Sequence, residues 1–318
     1  MPQNAIGGWT TEQLSNYVKR RASLILKAID QSYNYVPSLT KYFPVNTNFT
    51  SDKIEFYYFG SNPGVYHTTL EGVPENIRGK MTKKTAQMYW NKYPVFVPDS
   101  VRAQIPVDNL LATGTKNAQS YFDFIKDYDI ITALKAGNHA SCTSAATGYW
   151  TDSTSRDIDK DISTAFQGII TYAGAQRFAN TDFICIYPAE AVGGLNELDI
   201  VGGNVVSKME DYLQESWSGK ITFIPWGPML DDEGNAYLDN AGTSADALGT
   251  SAIICATGET VLINGEWRPS EIDRAETWRE NGVGEHILLK SCSGACVVPM
   301  LGSTTTTPLI YELTGVTA

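Results

Sequence analysis

Histidine is scarce in this chain: only His67, His139 and His286 occur, and none sits in a helical pattern with a second metal ligand three or four residues on. Such spacing is the usual sequence mark of a zinc site, so metal chemistry has no foothold here. Other signatures are missing too. No G-x-S-x-G elbow presents a serine nucleophile, and no G-x-G-x-x-G follows a strand to cradle a dinucleotide. The longest aliphatic run near the N-terminus is Leu24-Ile25-Leu26, far short of the roughly 20 residues a membrane span needs. No signal-peptide layout opens the chain, so folding in a cytoplasm is expected. The five cysteines are scattered and odd in number. Cys185 and Cys255 lie inside apolar runs, and the expectation is buried reduced thiols. Cys292-Ser-Gly-Ala-Cys296 lacks the nearby histidines or second cysteine pair of a zinc site. No catalytic residue, cofactor-binding loop or metal site is assigned.

What is present is a large apolar fraction, 42%, in 318 residues, enough for a substantial core. The net charge of −11 disfavours general binding to nucleic acid or anionic membrane.

Helical periodicity starts at Thr10-x-x-Gln13, a capping-box pattern, and continues through Leu14, Val18, Ala22, Ile25 and Ile29. From Asp52, Ile54, Phe56 and Tyr58 alternate with polar residues as in a strand, and alternation resumes at Ala86, Met88 and Trp90. The polar segment between them is too long for a plain turn, so the two strands read as a long hairpin arm. The longest helical pattern runs from about Val107 to Ala136, with Gly137 as its stop. Thr154-x-x-Asp157 is read as the cap of a further helix with Ile158, Ile162, Ala165 and Ile169 on its apolar face. Helix and strand then alternate to residue 263, an α/β pattern. Asn264-Gly265 is read as a turn, Gly193-Gly194 as a helix end, and Asp231–Asn235 as a solvated hairpin turn. The last section, Glu276 to Val316, reads as strands. The fold class is α+β, with two sub-domains between which the chain passes and returns.

The segment GVPENIRGKMT, residues 72–82, superficially resembles a phosphate loop. Gly72 and Gly79 are seven apart, however, where a Walker loop needs five, and Met81 replaces the magnesium-binding hydroxyl. Its charge is more telling. Arg78, Lys80, Lys83 and Lys84 outnumber Glu71 and Glu75, giving +2 between Thr68 and Lys84 and −13 over the remainder of the chain. Composition leaves two readings open: a solvated hairpin, or a basic arm that lies on the acidic body of another copy.

The order of elements resembles the major capsid proteins of tailed double-stranded DNA viruses, the Hong Kong 97 capsid fold. TTLEGVPENIRGKMTKKTAQMYWNKYPVFVPDSV resembles the extended loop and its return strand. PVDNLLATGTKNAQSYFDFIKDYDIITALKAG resembles the spine helix with its closing acidic patch. DIDKDISTAFQGI with FICIYPAEAVGGL resembles the axial domain, and ETWRENGVGEHILLKSCSGACVV the last strands of the peripheral domain. The small residues of CSGAC depart from the family pattern. The resemblance implies an N-terminal arm and helix (1–50), an extended loop (51–95), a peripheral domain with the spine helix (96–137 and 265–318) and an axial domain (138–264). It implies a structural protein, not an enzyme, whose pentamers and hexamers form an icosahedral shell around double-stranded DNA, bound without sequence specificity. Glu71, Glu75, Arg78, Lys80, Lys83 and Lys84 would make inter-subunit contacts. Portal protein, a separate scaffold or a removed segment, and cement proteins are the implied partners. The implied location is the virion, after assembly in the host cytoplasm. Some family members join a loop lysine to a neighbour's asparagine, but no residue-level match carries that chemistry to Lys80, Lys83 or Lys84. An encapsulin-type compartment shares the fold, and a soluble α/β enzyme with residues near Tyr187–Glu190 is the distant alternative.

Overall fold

A computed structural model describes residues 38–59, 81–99, 107–173, 182–196, 198–199, 203–204, 221–228, 246–268, 275–280, 283–300 and 303–318. The helix expected from Thr10, the one expected around Val206–Leu213 and the acidic turn Asp231–Asn235 lie outside these residues.

Helix α1 (Val107–Ala136) is the backbone of the architecture. Its 30 residues extend about 45 Å at the usual helical rise. Phe124, Ile130, Ile131 and Leu134 are fully buried along it. The helix ends before Gly137, where glycine is required by close packing and not by a left-handed turn. A Cβ at Gly137 would fall 2.5 Å from a Val297 methyl, whereas the described positive-φ glycines are Gly249, Gly258 and Gly315.

Two five-stranded sheets flank α1. The first contains β1 (Val45–Asn46), β4 (Tyr89–Pro98), β11 (Leu262–Trp267), β12 (Ala275–Glu280) and the long β13 (Gly284–Val297). β13 pairs antiparallel with β4 over Gly284–Ser293 on one edge; on the other it pairs with β12 over Gly284–Leu289 and with β11 over Cys292–Val297. The second sheet runs β5 (Thr143–Ala145), β14 (Ile310–Thr314), β10 (Ala252–Ala256), β6 (Phe183–Pro188), β9 (Ile221–Trp226). Every residue of β6 and β10 is buried, as expected of strands covered on both faces. Helix α2 (Ile158–Ala173) packs Ile162, Ala165 and Ile169 into the same core. That core is continuous with Leu39, Phe43 and the buried side of α1. A short helix α3 (Val192–Asn196) follows β6, and the two-residue strands β7 (Leu198–Asp199) and β8 (Gly203–Asn204) pair with each other. β2 (Lys53–Phe59) and β3 (Met81–Gln87) form an antiparallel ribbon of their own.

Several local expectations are corrected. The last strand, β14, lies between β5 and β10 in the second sheet, not with the strands that precede it in sequence. Its Ile310, Tyr311 and Leu313 are buried on both faces of the strand, as in a sheet covered by a layer on each side. Asn264-Gly265 is no turn; both residues lie within β11, and Asn264 Nδ2 donates to the Phe43 carbonyl at 3.1 Å. Gly193-Gly194 falls inside α3, where the Trp150 carbonyl fills the space of a Cβ at Gly194. The cap of α2 is Asp157, one turn later than Thr154: its Oδ1 accepts from the Lys160 N–H at 3.3 Å. Thr154 instead closes a turn on Asp152.

The segment after α1 is held by a buried carboxylate. Asp161 of α2 accepts from Trp150 Nε1 at 2.9 Å and from the Thr147 N–H and hydroxyl at 2.9 and 2.7 Å. Asp161→Ala leaves the buried Trp150 indole donor unpaired and frees the exposed Thr147, and should cost about 1–3 kcal/mol. Asp161→Asn, which keeps one acceptor oxygen, should lose less. Chemical denaturation of both variants checks this order.

Candidate functional site

The β2–β3 ribbon is amphipathic by strand alternation. Ile54 and Tyr58 are buried on its inner side, while Lys53, Glu55, Tyr57, Met81, Lys83, Thr85 and Gln87 are exposed on its outer side. Lys83 and Lys84, adjacent in sequence, therefore point to opposite faces. Lys83 forms an ion pair with Glu55 at 2.9 Å, and that hydrogen bond raises its pKa. Both partners are near half exposure, so the pair adds little stability. Lys84 turns inward and donates to the Val297 carbonyl at 3.1 Å. Glu71, Glu75, Arg78 and Lys80 lie outside the described residues.

The root of the ribbon rests on the first sheet. The sheet face turned away from α1 carries Trp90, Ile263, Gly265, Trp267, Cys292, Gly294 and Cys296. Ile54 and Met88 form a small core there with Cys292 and Cys296, bordered by Trp90 and Trp267 in an edge contact at 5.7 Å. Gly265 and Gly294 are direct cross-strand partners. A Cβ on Gly265 would come within 2.8 Å of Phe49 and 3.0 Å of Ile54; one on Gly294 would lie 3.2 Å from Met88 Cα and Cγ. The two glycines thus form a trough that the ribbon root occupies. This explains CSGAC: it does not interrupt the strand, and its small residues admit a second layer of backbone. Further ties are the Met88 N–H to the Asp52 carbonyl at 2.8 Å and the Tyr58 hydroxyl to the Ser303 carbonyl at 3.4 Å. All five cysteines are buried and unpaired. Burial pushes Cys292 and Cys142 each up to about 11, so neither is a ready nucleophile.

The opposite sheet face meets α1 through polar contacts. Ser293 donates to Asp129 Oδ2 at 3.3 Å and accepts from Asn91 Nδ2 at 3.1 Å, joining helix, β13 and β4. Burial of the Asp129 carboxyl pushes it up to about 7, against the Ser293 hydrogen bond. Glu266 sits between Lys126 of α1 at 3.2 Å and the two-pronged Arg268 at 2.9 and 3.0 Å. Burial raises the Glu266 carboxyl, but the hydrogen bonds and charges of Arg268 and Lys126 outweigh it and hold the group below its ordinary value. Asp127 reaches the N-terminal side, accepting from the Ser38 and Leu39 N–H groups at 2.9 and 3.2 Å. The acidic end of the helix is thus a set of anchors.

No protein-family model and no curated protein matches this chain. The likeness is in three dimensions. A phage-related protein from Bordetella bronchiseptica superposes with a TM-score of 0.53 at 12% identity, over 91% of this chain and 96% of that one. The bacteriophage PhiM1 mature capsid gives 0.53 at 12% identity, over 84% and 83%. The capsid of a native GTA particle gives 0.54 at 10%, over 89% and 90%. The chain has the Hong Kong 97 capsid fold. In this capsid fold α1 corresponds to the spine helix, and the β2–β3 ribbon is the root of the extended loop.

The region considered for an enzyme is a cavity of about 230 Å³ lined by Pro188, Glu190, Trp226, Asp246, Thr250 and Thr317, among others. Among the described residues it offers two carboxylates and no imidazole or thiol. Tyr187 nearby is buried, and burial together with Cys185 pushes its hydroxyl up to about 12.

Two outcomes follow from the seat and the seam. Gly294→Val should press on Met88 and Gln87, loosening the ribbon root and lowering stability by about 1–3 kcal/mol. Faster proteolysis within residues 53–87, at unchanged secondary structure, would show that the ribbon had lifted. The Asp129 carboxyl holds its proton in the folded state at pH values where the unfolded chain has released it. Its contribution is therefore full below the ordinary carboxylate value and lost as pH rises through about 7. Asp129→Asn should flatten the stability profile between pH 4 and 7, measured by urea unfolding.

Proposed function

We propose that this protein is the major capsid protein of a tailed double-stranded DNA virus, which assembles through pentamers and hexamers into an icosahedral shell. The observation that carries this reading is the capsid fold over nearly the whole described chain, together with a ribbon docked on the first sheet by its inner face and, among the described residues, exposed along its outer face. The division into arm (1–50), extended loop (51–95), peripheral domain (96–137 and 265–318) and axial domain (138–264) belongs to the same proposal, except that the last strand, Ile310–Thr314, pairs with strands of the axial segment. So does the contact of Glu71, Glu75, Arg78, Lys80, Lys83 and Lys84 with a neighbouring copy. A wall of net charge −11 repels packed nucleic acid and does not trap it. The partners are other copies of the chain, with portal, scaffold or cement proteins, and the location is the virion after assembly in the host cytoplasm.

Expression of the chain, followed by negative-stain microscopy and sedimentation, should reveal capsomer rings or closed shells. A small oligomer with no larger assembly, with or without a scaffold, would overturn the reading. Particles that enclose protein cargo in place of DNA in the infected host would favour a compartment shell instead. Reversing charge at Lys80, Lys83 and Lys84 should weaken assembly at least tenfold, in a salt-dependent way, while the monomer stays folded. Unchanged assembly would remove the loop from the interface.

A further inference from the structure

Lys84 is the charged residue on an otherwise uncharged side of the ribbon. Alternation places it inward with Ile54, Phe56, Tyr58, Thr82 and Ala86, and Phe56 is its direct cross-strand partner. A half-buried ammonium ordinarily draws a carboxylate, because desolvation of the charge is costly. The partners Lys84 finds among the described residues are instead a carbonyl oxygen and a thiol. Its Nζ donates to the Val297 carbonyl at 3.1 Å and to the sulfur of Cys296. Cys296 Sγ in turn lies 3.6 Å from the same carbonyl oxygen. Amine nitrogen and sulfur thus meet at one point, at the C-terminal end of β13.

The surroundings keep this pair together. Cys296 is 5% exposed and packs with Ile54, Met88 and Cys292. Burial raises its thiol, while the charge and hydrogen bond of Lys84 oppose that rise. Among the described residues, Cys142, Cys185, Cys255 and Cys292 have no ammonium against the sulfur. Lys83 points to the opposite face and is engaged by Glu55. Any chemistry between amine and thiol is therefore confined to Lys84 and Cys296.

We propose that Lys84 and Cys296 form an oxidation site, at which dioxygen joins the two side chains through one bridging oxygen, Nζ–O–Sγ, and fastens β3 to β13. The ammonium first gives a proton to water. One N–H bond, the S–H bond and the dioxygen bond then break, and N–O and O–S bonds form. Amine, thiol and dioxygen yield the bridge and one water. Nitrogen and sulfur each lose two electrons, and dioxygen takes up the four. An uncharged, apolar oxidant suits a sulfur that packs against Ile54 and Met88. The bridging oxygen spans a hydrogen-bonded nitrogen and sulfur with little movement of either. Sulfur stays at the reversible, sulfenic level of oxidation. Two equivalents of a dithiol return amine and thiol, and the bridging oxygen leaves as water. The ribbon root is thus tied under oxidising conditions and released under reducing ones.

The test uses the full chain, purified in reducing, oxygen-free buffer and then held in air. Chymotryptic peptides are compared by tandem mass spectrometry. The expected product joins the peptide carrying Lys84 to the one carrying Cys296, heavier than their sum by one oxygen less two hydrogens. Dithiothreitol should separate the two. The product should be absent from protein kept reduced, from Lys84→Arg and from Cys296→Ser; if one variant fails to fold, the other serves. Proteolysis within residues 53–59 or 81–87 of the folded chain should slow roughly tenfold in air and recover on reduction, in the native chain but not in the variants. A bridge at Lys83 or Cys292, a join without the oxygen, a sulfinic acid at Cys296 with Lys84 free, or no join after exposure to air would overturn the proposal. None of these outcomes depends on whether the chain forms shells.

Discussion

The C-terminal half of β13, Cys292–Val297, is covered on both faces and sets the terms for what packs around it. β13 lies between helix α1 and the ribbon root, and both neighbours come closer than ordinary side chains allow. On the helix side, Gly137 and Gly114 accept Val297 and Val95. On the ribbon side, Gly265 and Gly294 accept Ile54 and Met88. A side chain at Gly137 or Gly265 requires its neighbour to shift, and one at Gly114 or Gly294 is a tight fit. Three layers this thin hold the β2–β3 ribbon in place over the sheet that packs on α1. Packing density does the positioning here, with few specific bonds.

The charged groups then do what packing cannot, which is to fix register. Asp127, Asp129 and Asp161 each place a carboxylate where two or three donors, or one hydroxyl, converge. A buried carboxylate without partners would be costly, so each excludes arrangements that slide the helix along the sheet or detach the segment after it. Glu266 does the same between Lys126 and Arg268. These pairs contribute specificity more than net stability, because desolvation opposes every one of them.

Much of this was legible in the sequence because it depends on period. The spine helix, the ribbon strands and the buried β6 and β10 all follow from apolar spacing, and α1 begins and ends where its pattern does. What could not be read depends on partners distant in sequence. Asn264-Gly265 has the chemistry of a turn, and only the presence of Phe49 and Ile54 above it shows that the glycine serves close approach. Ile310–Thr314 follows the strands of the first sheet yet pairs in the second, since strand order is set by which faces must be covered. Lys83 and Lys84 looked equivalent as charges; alternation sends one to Glu55 and the other to a backbone carbonyl. The cross-strand row Phe96, His286 and Trp278 carries no short motif, because its three members come from three strands.

The same reasoning accounts for a fold shared at 10–12% identity. The requirements are a long amphipathic helix, a strand accessible on both faces and an arm that alternates. Many sequences satisfy these, and compensating changes can move a glycine or a carboxylate to another place in the same layer.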